Sequence, residues 1–124
     1  MDDVAEHKGA CHCGAVAFIV TLPSGIEAPY RCNCSLCDKK GAIASAVHLK
    51  NLKIIKGEEH LKLYLFNTKV AKHYFCSICG IYTHHQRRSN PNQFSFNVAC
   101  LEGINSSDFE CVGFIDGVSH SMDR

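Results

Sequence analysis

Short β-branched and aromatic runs broken by turn residues, the lack of any sustained 3.6-residue apolar period, and cysteines gathered as CxC, CxCxxC and CxxC predict a mainly β domain stapled by metal. No Pro/Gly/Ser-rich or charged stretch is long enough to be a linker, so residues 1–124 are expected to form one domain. The 46% apolar content is spread through many short runs, and a core of that kind gains from a metal staple.

The elements follow in order. Ala15 to Leu22 reads AVAFIVTL, a strand pattern ended by Pro23-Ser24-Gly25. Further β-rich runs lie at Ile43 to Leu49 and Leu52 to Lys56, and His60 to Phe66 alternates as H-L-K-L-Y-L-F. Val70 to Phe75, Ile81 to His85 and Phe94 to Ala99 complete the set. Lys56-Gly57 and Ser89-Asn90-Pro91-Asn92 are turn signals between them, and Cys34 to Gly41 suits a short helical turn. No internal repeat is present.

Thirteen basic and twelve acidic residues, interspersed and summing to +1, give no electrostatic footprint for nucleic acid. Met1 to Gly9 is polar and acidic, unlike a signal peptide, and no apolar run approaches the ~18 residues of a membrane span. A soluble, cytoplasmic protein without nucleic-acid or membrane partners is expected; the sequence leaves its oligomeric state undetermined. Nine cysteines in a reducing compartment point to metal ligation over disulfides, since an odd count leaves a thiol unpaired and the clustering matches ligand spacing.

Tetrahedral zinc with Zn–S bonds of about 2.3 Å needs sulfurs less than about 4 Å apart, whereas residues i and i+2 of a strand are roughly 6.6 Å apart. The chain must curl at each CxC. Gly14 after Cys11-His12-Cys13, and Gly80 after Cys76-Ser77-Ile78-Cys79, supply the freedom to do so. Pairing the two motifs gives Cys11, Cys13, Cys76 and Cys79 as a closed four-thiolate sphere, the form of structural zinc. Cys32, Cys34 and Cys37 offer three thiolates, and three protein ligands leave a coordination position open, as in catalytic zinc. The alternative is a second structural site closed by Cys100, Cys111 or one of the eight histidines.

The stretches G-A-C-H-C-G-A-V-A-F, R-C-N-C-S-L-C-D-K-K-G-A, H-Y-F-C-S-I-C-G and N-V-A-C-L-E-G resemble the glutathione-dependent formaldehyde-activating enzyme family, also called the centromere protein V family. The resemblance runs from about Gly9 to Gly117 and rests on three ordered cysteine motifs. It implies an all-β, zinc-stapled fold like that of methionine-R-sulfoxide reductase B. It implies two zinc ions per chain, a structural one at Cys11, Cys13, Cys76 and Cys79 and a catalytic one at Cys32, Cys34 and Cys37. The implied reaction, of the carbon–sulfur lyase class, joins glutathione as co-substrate to formaldehyde, so the implied partners are a small-molecule thiol and aldehyde.

Asp38 stands where the family often carries a basic residue, which leaves Lys39 and Lys40 as candidates for glutathione's carboxylates; ordinary solvated lysines are the alternative. The chain is also shorter than the family's named synthases. A second reading is a non-catalytic zinc module for a thiol ligand or protein partner, but that branch is expected to carry a basic tail, and none is seen here. Cys100 and Cys111 sit in apolar runs and are expected to be core. His84 and His85, adjacent on a strand, should face opposite ways, so at most one addresses a given site. His12 is expected to point away from the metal, and His73 to support a neighbouring thiolate. Asp116-Gly117 reads as a turn, and the terminal residues from Ser119 as loose.

Overall fold

The computed structural model describes residues 6–23, 25–26, 28–32, 39–65, 72–87, 90–104 and 113–115, with the backbone alone for residues 32 and 113–115. The described chain is mainly β: β1 (Glu6–Ala10), β2 (Ala17–Thr21), β3 (Tyr30–Cys32), β4 (Ala44–His48), β5 (Leu52–Lys56), β6 (Leu61–Tyr64), β7 (Lys72–Cys76), β8 (Tyr82–Gln86), β9 (Gln93–Asn97) and β10 (Gly113–Ile115). No helix among the described residues is long and apolar enough to cross a membrane.

The strands form a three-stranded sheet, β1-β2-β5, and a seven-stranded sheet, β10-β3-β4-β9-β8-β7-β6. Every expected strand is present, most shifted by one or two residues at their ends. Three strands were not expected. Glu6-His7-Lys8-Gly9-Ala10 is too polar to read as a strand, yet it pairs antiparallel with β2 from Glu6↔Thr21 to Ala10↔Ala17. Its Gly9 is required there, because a Cβ would lie 2.5 Å from the Phe18 ring. β3 and β10 are three residues each and pair in parallel, a partnership no local pattern announces. Of the expected helical turn, residues 39–40 are helical, Gly41 forms a turn at φ +63°, and residues 34–38 lie outside the described residues, as do Asp116-Gly117 and the terminal residues from Ser119.

Alternation decides which side chains become core. Phe18 and Val20 of β2, Leu52 of β5, Val47 of β4 and Phe96 of β9 form one buried cluster between the two sheets, with Leu22, Val98 and Leu101. A smaller cluster joins Val16 to Cys11 and Cys76. The large sheet presents the other side of the same strands as a continuous rung of paired residues, Tyr64↔His73↔His85↔Ser95↔Ala46, across five strands. Residues on one rung share a face, and this face is turned from the Phe96 and Val47 core.

The pairing of β7 with β8 skips Thr83: Tyr74 pairs with His84 and Phe75 with Tyr82. Such a bulge changes which residues share a face. Thr83 and His84, adjacent in sequence, lie side by side with Oγ1 and Nδ1 2.8 Å apart, while Tyr82 and His85 meet on the opposite face.

Gly57 holds φ +78°, where an added Cβ would overlap the Ala15 carbonyl; Gly103 holds φ +77° with nothing near. Gly103→Ala is expected to cost about 1–2 kcal/mol, the left-handed strain alone, and Gly57→Ala at least about twice that. Denaturant unfolding of the two variants in metal-replete buffer checks the difference.

Candidate functional site

Two similar knuckles bring four cysteines together. In the first, Cys11 N–H donates to the Val16 carbonyl at 3.0 Å and Gly14 N–H to that of Cys11 at 3.2 Å; in the second, Cys76 N–H donates to Ile81 at 3.0 Å and Gly80 N–H to Cys76 at 2.8 Å. Gly14 and Gly80 both take φ +81°, the left-handed turn expected of them. Backbone N–H groups also point at sulfur, Val16 at Cys11 Sγ (3.3 Å) and Ile78 at Cys76 Sγ (3.4 Å).

The ligand atoms of Cys11, Cys13, Cys76 and Cys79 all lie within 4.8 Å of one another. Cys13 Sγ is 3.7 Å from both Cys11 Sγ and Cys76 Sγ. A tetrahedron with metal–sulfur bonds of about 2.3 Å has edges of about 3.8 Å, so the donor set fits a tetrahedral thiolate-bound ion. Alone, the thiols compete for protons. For Cys79 the largest influence is the Cys13 backbone N–H, which lowers it; burial opposes, but the Ile81 N–H and the Cys76 and Cys11 thiols carry it down to about 6. Cys13 is also lowered most by one N–H, from Ala15, yet burial and the three neighbouring sulfurs push it up to about 11. Burial raises Cys11, but N–H and thiol hydrogen bonds leave it lowered overall. Such a cluster loses its protons together and readily when a cation replaces them.

Of the middle cluster, Cys34 and Cys37 lie outside the described residues, and Cys32 contributes its backbone at the end of β3, beside Ile115. Lys39 is exposed. Lys40 reaches the rung of the large sheet: its Nζ lies 3.3 Å from His73 Nδ1 and 3.5 Å from the centre of the Tyr82 ring. A cavity of about 310 Å³ opens there, with Lys40, Tyr64, His73, Phe75, Gly80 and Tyr82 among its walls.

Behind the cavity, His73 stacks on His85 with ring centres 4.9 Å apart. Tyr82 Oη lies 2.7 Å from His85 Nδ1, and Tyr30 Oη lies 2.6 Å from Ser95 Oγ. Burial first, then the charge of Lys40 and the neighbouring His73, Arg87 and His84, hold His85 well below the usual imidazole range. An ammonium has only donors, so in a hydrogen bond with a charged Lys40 the His73 Nδ1 is the acceptor. His84 stacks on Tyr74 (4.7 Å) and meets Phe94 edge-on, so the two adjacent histidines do face opposite ways. His12 is exposed, as expected. Cys100 packs against the core, donates to the Tyr82 carbonyl at 3.7 Å and is pushed up to about 12 by burial and by Cys11 and Cys79, the profile of an inert thiol; Cys111 lies outside the described residues. The sequence reading missed Tyr82, Tyr64, Phe75, Tyr30 and Ser95. For Tyr82 a strand pattern gives the wrong answer, since without the bulge it would face away from His85.

A family model described as glutathione-dependent formaldehyde-activating enzyme matches residues 6–111. A Halomonas elongata protein provisionally named a glutathione-dependent formaldehyde-activating enzyme is 36% identical over 84 residues, 59% of this chain and 51% of that protein, so the chain spans about half the length of this relative. A crystal structure of a Rhodobacter sphaeroides protein superposes with a TM-score of 0.83 at 52% identity, covering 86% of this chain and 98% of that one.

His84 is held down to about 4 by burial. A group whose folded pKa lies below its unfolded value of about 6.5 adds stability that is full above pH 6.5 and drains as the pH falls towards 4. Imidazole NMR shifts are expected to give His84 a midpoint near that value with His85 neutral at pH 6.5, and His84→Gln to remove the His84 step.

Proposed function

Because this chain belongs to the glutathione-dependent formaldehyde-activating enzyme family, we propose that it is a zinc-dependent enzyme of the carbon–sulfur lyase type, acting as one domain on glutathione adducts of formaldehyde or a related small aldehyde. The observation that carries this reading is the completeness of the Cys11, Cys13, Cys76 and Cys79 cluster. It needs no further ligand, which leaves Cys32, Cys34 and Cys37 as a separate thiolate set. That set ends three residues before Lys40, whose ammonium lines the cavity.

In this reading Cys11, Cys13, Cys76 and Cys79 hold a structural zinc, and Cys32, Cys34 and Cys37 hold a second. When bound there, zinc with an open position supplies Lewis acidity, which lowers a thiol's pKa or polarises an aldehyde oxygen. The reaction forms one carbon–sulfur bond, opens the carbonyl π bond and moves the thiol proton to the oxygen, giving S-(hydroxymethyl)glutathione. Lys40 attracts a carboxylate of the tripeptide, and its place over the Tyr82 ring limits the freedom that binding would otherwise cost. Lys39 adds positive charge from solvent. Tyr64, Phe75 and Tyr82 exclude water from one side of the adduct.

The experiment is exchange NMR of glutathione with formaldehyde. The zinc-replete protein is expected to accelerate exchange, and Cys34→Ser to abolish the acceleration while lowering bound zinc from two ions per chain to one and leaving the β signature in circular dichroism. Undiminished exchange in Cys34→Ser would remove the middle cysteines from the chemistry. Zinc that leaves both sites only as the protein unfolds would make both structural. Lys40→Met is expected to raise KM for glutathione about tenfold, the loss of one charge-assisted contact, with a smaller effect on kcat.

A further inference from the structure

Formaldehyde adds one carbon and one oxygen to a thiol, a volume of roughly two waters or about 60 Å³. The cavity beside Lys40, which also receives the carboxylate end of the thiol in the reading above, holds about 310 Å³. Its walls are also the wrong chemistry for a hydroxymethyl group alone: Tyr64, Phe75 and Tyr82 offer carbon surface, and the charged head of Lys40 is held at one place by the Tyr82 ring and His73. The register accounts for this grouping. Tyr64 pairs with His73 and Phe75 with Tyr82, so the three aromatic residues come from three adjacent strands on one face.

Of the six large hydrophobic side chains exposed among the described residues, Tyr64 forms a wall of this cavity, while Leu63, its neighbour on β6, pairs with Tyr74 and alternates to the other face. An exposed aromatic side chain in the wall of a concave site is suited to holding apolar matter.

We propose that this cavity binds the carbon chain or ring of a carbonyl compound larger than formaldehyde, presented as its adduct with a carboxylate-bearing thiol. This rests on the thiol–aldehyde reading above and names the aldehyde's class: alkyl or aromatic, of several carbons. Lys40 takes a carboxylate of the thiol, and the carbonyl-derived group lies against Tyr64, Phe75 and Tyr82. The chemistry balances as for formaldehyde: the thiol sulfur bonds to the carbonyl carbon, the π bond opens, and the thiol proton passes to the oxygen, with no oxidant or reductant.

Two measurements on the zinc-replete, full-length protein test it. In the first, calorimetry with glutathione and its S-methyl, S-propyl and S-hexyl thioethers reads binding without turnover; each added methylene is expected to tighten binding about two- to fourfold until the cavity is filled. Affinity that is flat along the series overturns the proposal. Phe75→Ala is expected to flatten the series, but the wild-type series decides the matter even if that variant fails to fold. In the second, exchange NMR compares formaldehyde with butanal and hexanal, with kcat/KM expected to rise at least tenfold along that series. Acceleration confined to formaldehyde, with a flat thioether series, sinks the proposal and leaves the enzyme reading standing. A rising thioether series with no exchange of any aldehyde upholds the cavity's ligand class and overturns the reaction.

Discussion

The four-sulfur junction is the constraint on which the structure depends. Cys13 and Cys76 lie 63 positions apart in sequence, yet their sulfurs are 3.7 Å apart. Closing a span of that length costs the unfolded chain on the order of 4 kcal/mol, which a structural thiolate-bound zinc, typically worth ~10–16 kcal/mol, can supply. One knuckle belongs to the β1–β2 hairpin of the small sheet and the other to the β7–β8 hairpin of the large one. The sulfurs therefore fasten sheet to sheet at one end, where the Val16 cluster is small, while the Phe18 and Phe96 core does so in the middle. Four thiols at this spacing repel one another once deprotonated. A cation would remove that repulsion, so the junction that closes the fold is also one that could hold a metal.

The large sheet divides its labour by face. On one side Phe94, Phe96 and Val47 meet the small sheet, and His84 fits among them because Tyr74 and Phe94 offer ring surfaces and Thr83 a hydrogen-bonding partner. On the other side the Tyr64, His73, His85 and Ser95 rung carries groups that exchange protons or bind charge. The bulge at Thr83 makes both faces possible from one strand. It keeps Thr83 beside His84 and gives Tyr82 to the functional face, where it touches His85 and lies under Lys40.

Legibility in the sequence followed the range of the interaction. Strands β2, β4 to β9 carry apolar alternation of their own and were readable; β1, β3 and β10 exist because a partner strand supplies their hydrogen bonds and were not. The cysteine pairs were readable because ligands two or three residues apart, with a glycine following, declare a local turn. Lys40 and His73, 33 positions apart, meet only through the tertiary fold, and charge alone did not separate Lys40 from exposed Lys39. Period-two reasoning correctly sent His84 and His85 to opposite faces. It failed for Tyr82 because one unpaired residue reverses the count.

The junction and the cavity are mechanically one unit. Cys76 is the last residue of β7, directly after Phe75, and Cys79 precedes Gly80; Phe75, Gly80 and Tyr82 all line the cavity. Holding Cys76 and Cys79 at one point thus fixes the hairpin whose residues form the cavity wall, and with it the register that sets Tyr64 opposite His73 and Phe75 opposite Tyr82. A metal without an open coordination position can therefore matter to recognition while taking no part in chemistry. The four-sulfur junction is thus the support of one cavity wall, reached through the β7–β8 hairpin.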